Sequence, residues 1–255
     1  MRDIILAGNW KMHKTIKESK ELAVCLTKKF VGLPLNVIIF PNFTALYSIS
    51  ELLKGTNINV GGQNVYFENE GAFTGEISPI MLKGAGAKYV IVGHSERRNI
   101  FNEPDELIKK KTRSVIENEM EVILCVGEKL EERDAGRTEE VISKEIRIAL
   151  DSISREVLDH IIIAYEPVWA IGTGVTACPN ETAEIHKFIR SILDDMFGSG
   201  VGTDMTILYG GSIKPKNFRE FAILDEIDGG LVGGASLKCE DFYDIGKILV
   251  ECKKL

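Results

Sequence analysis

A closed (β/α)8 barrel occupying residues 1–255 as one domain is the fold class this sequence predicts. Three observations carry that expectation. Short β-branched runs alternate with longer amphipathic stretches along the whole chain. The period is roughly 30 residues, which fits about eight βα units. No linker, low-complexity tract or shift of composition interrupts the alternation, so the units belong to one parallel sheet. An open doubly wound sheet meets the same pattern. The count favours the barrel, as does the absence of a Gly-x-Gly-x-x-Gly turn after the first strand.

The strands are expected at Ile4 to Trp10, Val37 to Phe40, Ile58 to Gly62, Tyr89 to Val92, Val122 to Val126, Ile161 to Tyr165, Thr206 to Tyr209 and Ile227 to Val232. Several are apolar at consecutive positions, as in strands covered on both faces. Helices are expected at Thr15 to Phe30, Pro104 to Glu119, Thr138 to Leu150, Glu181 to Phe197, Lys214 to Ala222 and Glu240 to Glu251. In the first of these, Ile16, Leu22, Ala23 and Leu26 share a face. Pro104 and Pro179 stand where helices begin, a position that tolerates the missing N–H. The stretch from Glu128 to Thr138 reads as a surface connection.

Composition narrows the partners. Apolar residues make up 44% and charged residues 27%, the balance of an ordinary water-facing globular chain. A net charge of -7 argues against nucleic acid or an anionic membrane as partner. It leaves room for a small anion, which helix N-termini and local lysines can hold. Cys25, Cys125, Cys178, Cys239 and Cys252 are scattered, with no close pair to suggest zinc or a redox motif. Reduced thiols in a cytoplasmic protein are therefore expected. The first apolar run, Ile4 to Ala7, is too short for a signal-peptide core, and no run reaches membrane-spanning length.

Barrel chemistry is expected at the C-terminal ends of the strands. The sixth strand delivers Glu166, and Pro167 fixes the turn beside it. The segment to Ala177 is stiff at both ends and rich in glycine between, the build of a lid. Trp169 and Ile171 within it are too apolar for an idle surface loop. The first strand ends in Asn9 and Lys11, on the face opposite Trp10. The fourth ends in His94, after a glycine and before a helical turn. N–H groups aimed at this ring would disfavour an imidazolium, leaving a neutral N–H to donate to a carbonyl. Glu96 suits a structural partnership with Lys11 or an arginine. His13, His160 and His186 are expected to be structural, and Cys125 a buried structural thiol. Glycine pairs close the seventh and eighth strands at Gly210-Gly211-Ser212 and Gly233-Gly234. There the backbone can approach a phosphate and present N–H groups to it.

Taken together, Asn9-Trp10-Lys11-Met12, Gly71 to Glu76, Gly93 to Arg98, Tyr165 to Gly174, Tyr209 to Ser212 and Leu231 to Ser236 resemble the triosephosphate isomerase family, in order and from end to end. The resemblance implies a TIM barrel that interconverts dihydroxyacetone phosphate and glyceraldehyde 3-phosphate in glycolysis and gluconeogenesis, without cofactor or metal. It implies Glu166 as the base, His94 as a neutral electrophile, and Lys11 and Asn9 as stabilisers of developing charge. The pairing of a glutamate base with a neutral histidine is the pattern known for this family. Gly172, Ser212, Gly233 and Gly234 would donate N–H groups to the phosphate, with Ser95 and Glu96 in support. The resemblance also implies a homodimer through the loop around Thr74, involving Gln63, Asn64, Thr74, Glu76 and Arg97. In that dimer Glu76 would face Arg97 of the other subunit. Two features depart from the family pattern: Val175 begins the second lid hinge, where many members carry lysine, and Cys178 follows the hinge.

Other classes fit less well. A phosphate-binding aldolase calls for a Schiff-base lysine where Glu166 stands. A metal-dependent isomerase calls for clustered ligands, and only His94 and Glu166 stand at these strand ends. A binding module could dispense with the base, histidine or lysine, and all three are present.

Overall fold

The computed structural model describes residues 2–171 and 177–254. The first half runs β1 (Ile5–Asn9), α1 (Ile16–Phe30), β2 (Asn36–Phe40), α2 (Phe43–Leu53), β3 (Ile58–Gly62) and α3 (Pro79–Gly84). Next come β4 (Tyr89–Val92), α4 (Ser95–Asn99), α5 (Asp105–Glu117), β5 (Glu121–Val126), α6 (Leu130–Asp134) and α7 (Thr138–Ala149). The chain continues through β6 (Ile161–Tyr165), α8 (Pro179–Phe197), α9 (Val201–Asp204), β7 (Ile207–Tyr209), α10 (Pro215–Ala222), β8 (Gly229–Val232) and α11 (Cys239–Lys253). All strand pairs are parallel, and β8 returns to β1, so the sheet closes into a (β/α)8 barrel.

Alternation along the strands divides the core in two. Ile5, Ala7, Ile38, Phe40, Ile91, Ile123, Cys125, Ile162, Ala164, Leu208 and Leu231 fill the barrel. Their neighbours, among them Leu6, Val37, Ile39, Val90, Val92, Val122, Leu124 and Ile163, face outward against the helices. Burial on both sides explains the unbroken apolar runs. Burial also pushes the Cys125 thiol well up, away from the thiolate a nucleophile needs.

Local signals explain where the helices start. Thr15 caps α1 in a capping box with Glu18. Pro179 opens α8 as its first residue, whereas Pro104 sits one position before α5. Ile16, expected on the buried face of α1, is 43% exposed at its first turn. The Glu128–Thr138 stretch is not wholly a surface connection: it contains α6, and Glu128 itself is buried.

The cysteines need a larger correction. Cys25 in α1 and Cys239 at the start of α11 form a disulfide, with Cα atoms 6.2 Å apart and a sequence separation of 214. Sequence distance misleads here because barrel closure makes the first and last βα units neighbours. Cys125, Cys178 and Cys252 are free. Below the barrel, buried Asp228 joins Arg2 at 2.6 Å, Arg190 at 2.8 Å and the Ile207 N–H at 2.8 Å, a second tie across the closing strands.

Candidate active site

At the end of β1 the chain turns through Lys11, whose φ of 51° is left-handed and uncommon for a residue with a side chain. Three contacts hold it there. The Lys11 N–H donates to Asn9 Oδ1 at 2.9 Å, Gln63 Nε2 donates to the Lys11 carbonyl at 2.8 Å, and Lys11 Nζ meets Glu96 Oε1 at 2.7 Å. The same Gln63 amide reaches the Phe40 carbonyl at 2.9 Å, so the ends of three strands are laced together.

Beyond β4, Gly93 adopts a φ of 73°, and a Cβ there would press on Arg98 and the Cys125 carbonyl at 3.1 Å. His94 then caps α4. Its Nδ1 accepts the Glu96 N–H at 3.2 Å, which leaves the ring proton on Nε2. Nε2 lies 3.1 Å from Glu166 Oε1. The Glu96 carboxyl is held below its ordinary range: burial opposes ionisation, but the hydrogen bond and charge of the Lys11 ammonium outweigh it.

Glu166 leaves β6 with its N–H on the Val126 carbonyl at 2.8 Å, and only 2% of the residue is exposed. Its Oε2 accepts the Ser95 N–H at 2.8 Å. A 3-10 turn, Val168–Ala170, follows. Trp169 Nε1 donates to Glu128 Oε1 at 2.7 Å, Tyr165 OH lies 3.2 Å from the same carboxyl, and Arg133 stacks 3.9 Å from the Trp169 ring. Burial pushes the Glu128 carboxyl up, against the pull of the Trp169 N–H.

The glycine turns make room. A Cβ on Gly210 would approach Glu166 Cγ to 2.9 Å, and one on Gly211 would strike the Tyr209 ring. Gly233 leads into a second 3-10 turn, Gly234–Leu237, whose Ser236 hydroxyl donates back to the Gly233 carbonyl at 2.7 Å. These turns, with Asn9, Lys11, His94, Ser95, Glu96, Glu166, Ile171 and Ser212, line one cavity of about 1010 Å³.

The family model described as triosephosphate isomerase matches residues 4–249. The chain belongs to the triosephosphate isomerase family. A triosephosphate isomerase of Roseiflexus castenholzii is 51% identical over 247 residues, covering 96% of this chain and 97% of the relative. One from Dictyoglomus thermophilum is 49% identical over 252 residues, covering 97% and 100%. One from Clostridium tetani is 48% identical over 245 residues, covering 96% of each.

Within this family member, seven sequence-derived positions meet around the cavity: Asn9, Lys11, His94, Glu166, Ser212, Gly233 and Gly234. Ser95 and Glu96 stand among them as supports. Gly172 and the hinge residue Val175 lie outside the described residues. The loop set is placed differently. Gln63 braces Lys11, and buried Asn64 accepts from Lys111 Nζ at 2.9 Å. Thr74 and Glu76 are exposed and outside the cavity lining. Arg97 pairs with Glu103 of its own chain at 2.6 Å. Sequence reasoning missed Glu128 and Arg98 as supports. Glu128 carried a signal, since it follows a glycine at a strand end as His94 does. Among the described residues no three His, Cys, Asp or Glu side chains are grouped to hold a metal ion, and no helix is long and apolar enough to cross a membrane.

Proposed function

We propose that this member of the triosephosphate isomerase family interconverts dihydroxyacetone phosphate and D-glyceraldehyde 3-phosphate with Glu166, His94 and Lys11 as its working groups. One observation supports these roles above others: a carboxylate and an imidazole N–H stand 3.1 Å apart in a cavity that also holds Lys11 and two glycine turns. The N–H groups of Ser212, Gly233 and Gly234, with Gly172, hold the phosphate. Glu166 takes a proton from the carbon bearing the hydroxyl and returns it to the neighbouring carbon, while the hydroxyl proton passes to the former carbonyl oxygen by way of His94. His94 Nε2–H polarises the carbonyl, and Lys11 and Asn9 stabilise the negative charge of the enediolate between the two steps. Glu166 is parked in this structure. Its two oxygens are taken by the Ser95 N–H and His94, so it releases both on reaching the substrate.

The same proposal takes residues 1–255 as one domain working without cofactor in the cytoplasm. Its partner there is a second copy, docked through the loop carrying exposed Thr74 and Phe73. The Cys25–Cys239 bridge has to persist in that compartment, against the usual reducing poise. The test is a coupled assay of triose phosphate interconversion with chelator present, on wild type and Glu166→Gln. Activity should survive chelation, and the variant should lose about 10²- to 10⁴-fold in kcat while still binding a phosphorylated mimic. Unchanged turnover in the variant would refute the base assignment.

A further inference from the structure

Behind His94 and Glu166 lies a charged cluster that the chemistry above leaves unused. Arg98 of α4 donates through Nε to the Gly93 carbonyl at 2.8 Å and through Nη2 to the Cys125 carbonyl at 3.2 Å. It thereby joins the peptide before His94 to β5. Its Nη1 meets Asp105 Oδ1 at 2.6 Å and Glu145 Oε1 at 3.3 Å. Glu145 arrives from α7, and its Oε2 accepts the Gly127 N–H at 2.9 Å. Gly127 follows Val126, whose carbonyl takes the Glu166 N–H. A Cβ at Gly127 would lie 1.8 Å from the Glu166 carbonyl oxygen, so the two backbones are in direct contact. Any tilt of the Gly127 peptide is therefore felt by Glu166.

We propose that Glu145, acting with Arg98, is a positioning residue that sets the separation of Glu166 and His94. The proposal rests on the isomerase reading of this site. Helix packing alone does not call for a carboxylate here, because Ile142, Ile146 and Ala149 already bury the inner stripe of α7. A buried ion pair seldom outdoes an apolar substitute in stability. What the carboxylate adds is direction: one oxygen on the Gly127 peptide, the other toward the arginine that holds the Gly93 peptide. Burial pushes its carboxyl up to about 7 against the opposing pull of Arg98 and the Gly127 N–H. The other charges around it are Asp105 from α5 and Glu132 from α6, which repel it, and Lys144, which pairs with Asp105 at 3.3 Å.

The experiment compares Glu145→Leu and Glu145→Gln with wild type, reading kcat, KM and the melting midpoint of each purified protein. Misplacing the base by a fraction of an ångström should lower kcat of Glu145→Leu by about 10- to 100-fold with KM within about twofold of wild type. Glu145→Gln should recover most of that loss near pH 6, because its side-chain carbonyl still accepts the Gly127 N–H. A folded Glu145→Leu protein with wild-type kcat overturns the proposal. Should that variant fail to fold, the glutamine variant decides. It should match wild type at about pH 6, where Glu145 is protonated, and fall about three- to tenfold below it at about pH 8, where Glu145 is ionised. A glutamine variant with wild-type kcat at both pH values overturns the proposal. A wild-type protein inactive on triose phosphates removes the isomerase reading and this role with it, whereas an active wild type beside an indifferent Glu145→Leu removes this role alone.

Discussion

Breaking the Cys25–Cys239 bridge should change stability far more than its half-buried position suggests. The bridge closes a loop of 214 residues. Loop-closure entropy for that length is worth about 5 kcal/mol at room temperature, removed from the unfolded chain rather than added to the native one. Against a typical total of about 5–15 kcal/mol, that is a third or more of the stability. For a chain of this size it corresponds to a drop of about 10–20 °C in melting temperature. The perturbation is Cys25→Ser, or excess dithiothreitol on the wild type, followed by far-ultraviolet circular dichroism. Cys178→Ser serves as control, since that thiol is exposed and free. Thiol titration of the unfolded, unreduced protein should count only Cys125, Cys178 and Cys252. Five titratable thiols, or a Cys25→Ser protein that melts with wild type, would refute the reasoning.

Acid should destabilise the fold through His186. That side chain is buried with Nδ1 on the Glu226 carbonyl, and burial holds its pKa down at about 3. The unfolded imidazole titrates near its ordinary value of about 6.5, so its contribution is complete above that pH and is lost as pH falls toward 3, at up to about 1.4 kcal/mol per pH unit. His186→Asn should flatten the denaturant midpoint against pH between about 6 and 4 by nearly one proton, and an unchanged slope would count against a buried neutral ring. Shortening the loop across residues 71–76 should give monomers in sedimentation velocity; a persistent dimer would place the interface elsewhere.

The strands were legible because each is buried on both faces, so runs such as Ile161-Ile162-Ile163 needed no periodicity to be seen. Glu166, His94 and Lys11 were legible for a related reason, as polar residues placed where those runs stop. Short or even-sided helices were not. α3 has six residues and α6 buries none of its side chains, so neither shows a helical stripe, whereas α2 carries one at Leu46, Ile49 and Leu53 that went unread. The disulfide escaped because it depends on ring closure, which pairs residues at opposite ends of the chain. Glu145 escaped because one glutamate in a charged helix looks like any other until the Gly127 peptide is seen against it. The hydrogen bond from Lys111 to Asn64 was not legible either, because the two stand 47 positions apart in sequence.

The barrel is not evenly stitched. β5 and β6 are in register from Val122 opposite Ile161 through Val126 opposite Tyr165, whereas β7 and β8 meet only where Tyr209 stands opposite Gly230. The two glycine turns at Gly210 and Gly233 that line the cavity emerge from either side of that sparse join. In hydrogen exchange this is the seam whose amides should open at the least free energy. A thinly paired seam lets the two turns adjust around an anion without breaking a long ladder, while the well-paired β5–β6 side keeps Glu166 on a stiff base. Compliance and stiffness thus lie in the same half of the ring, with only the β6–β7 pairing between them.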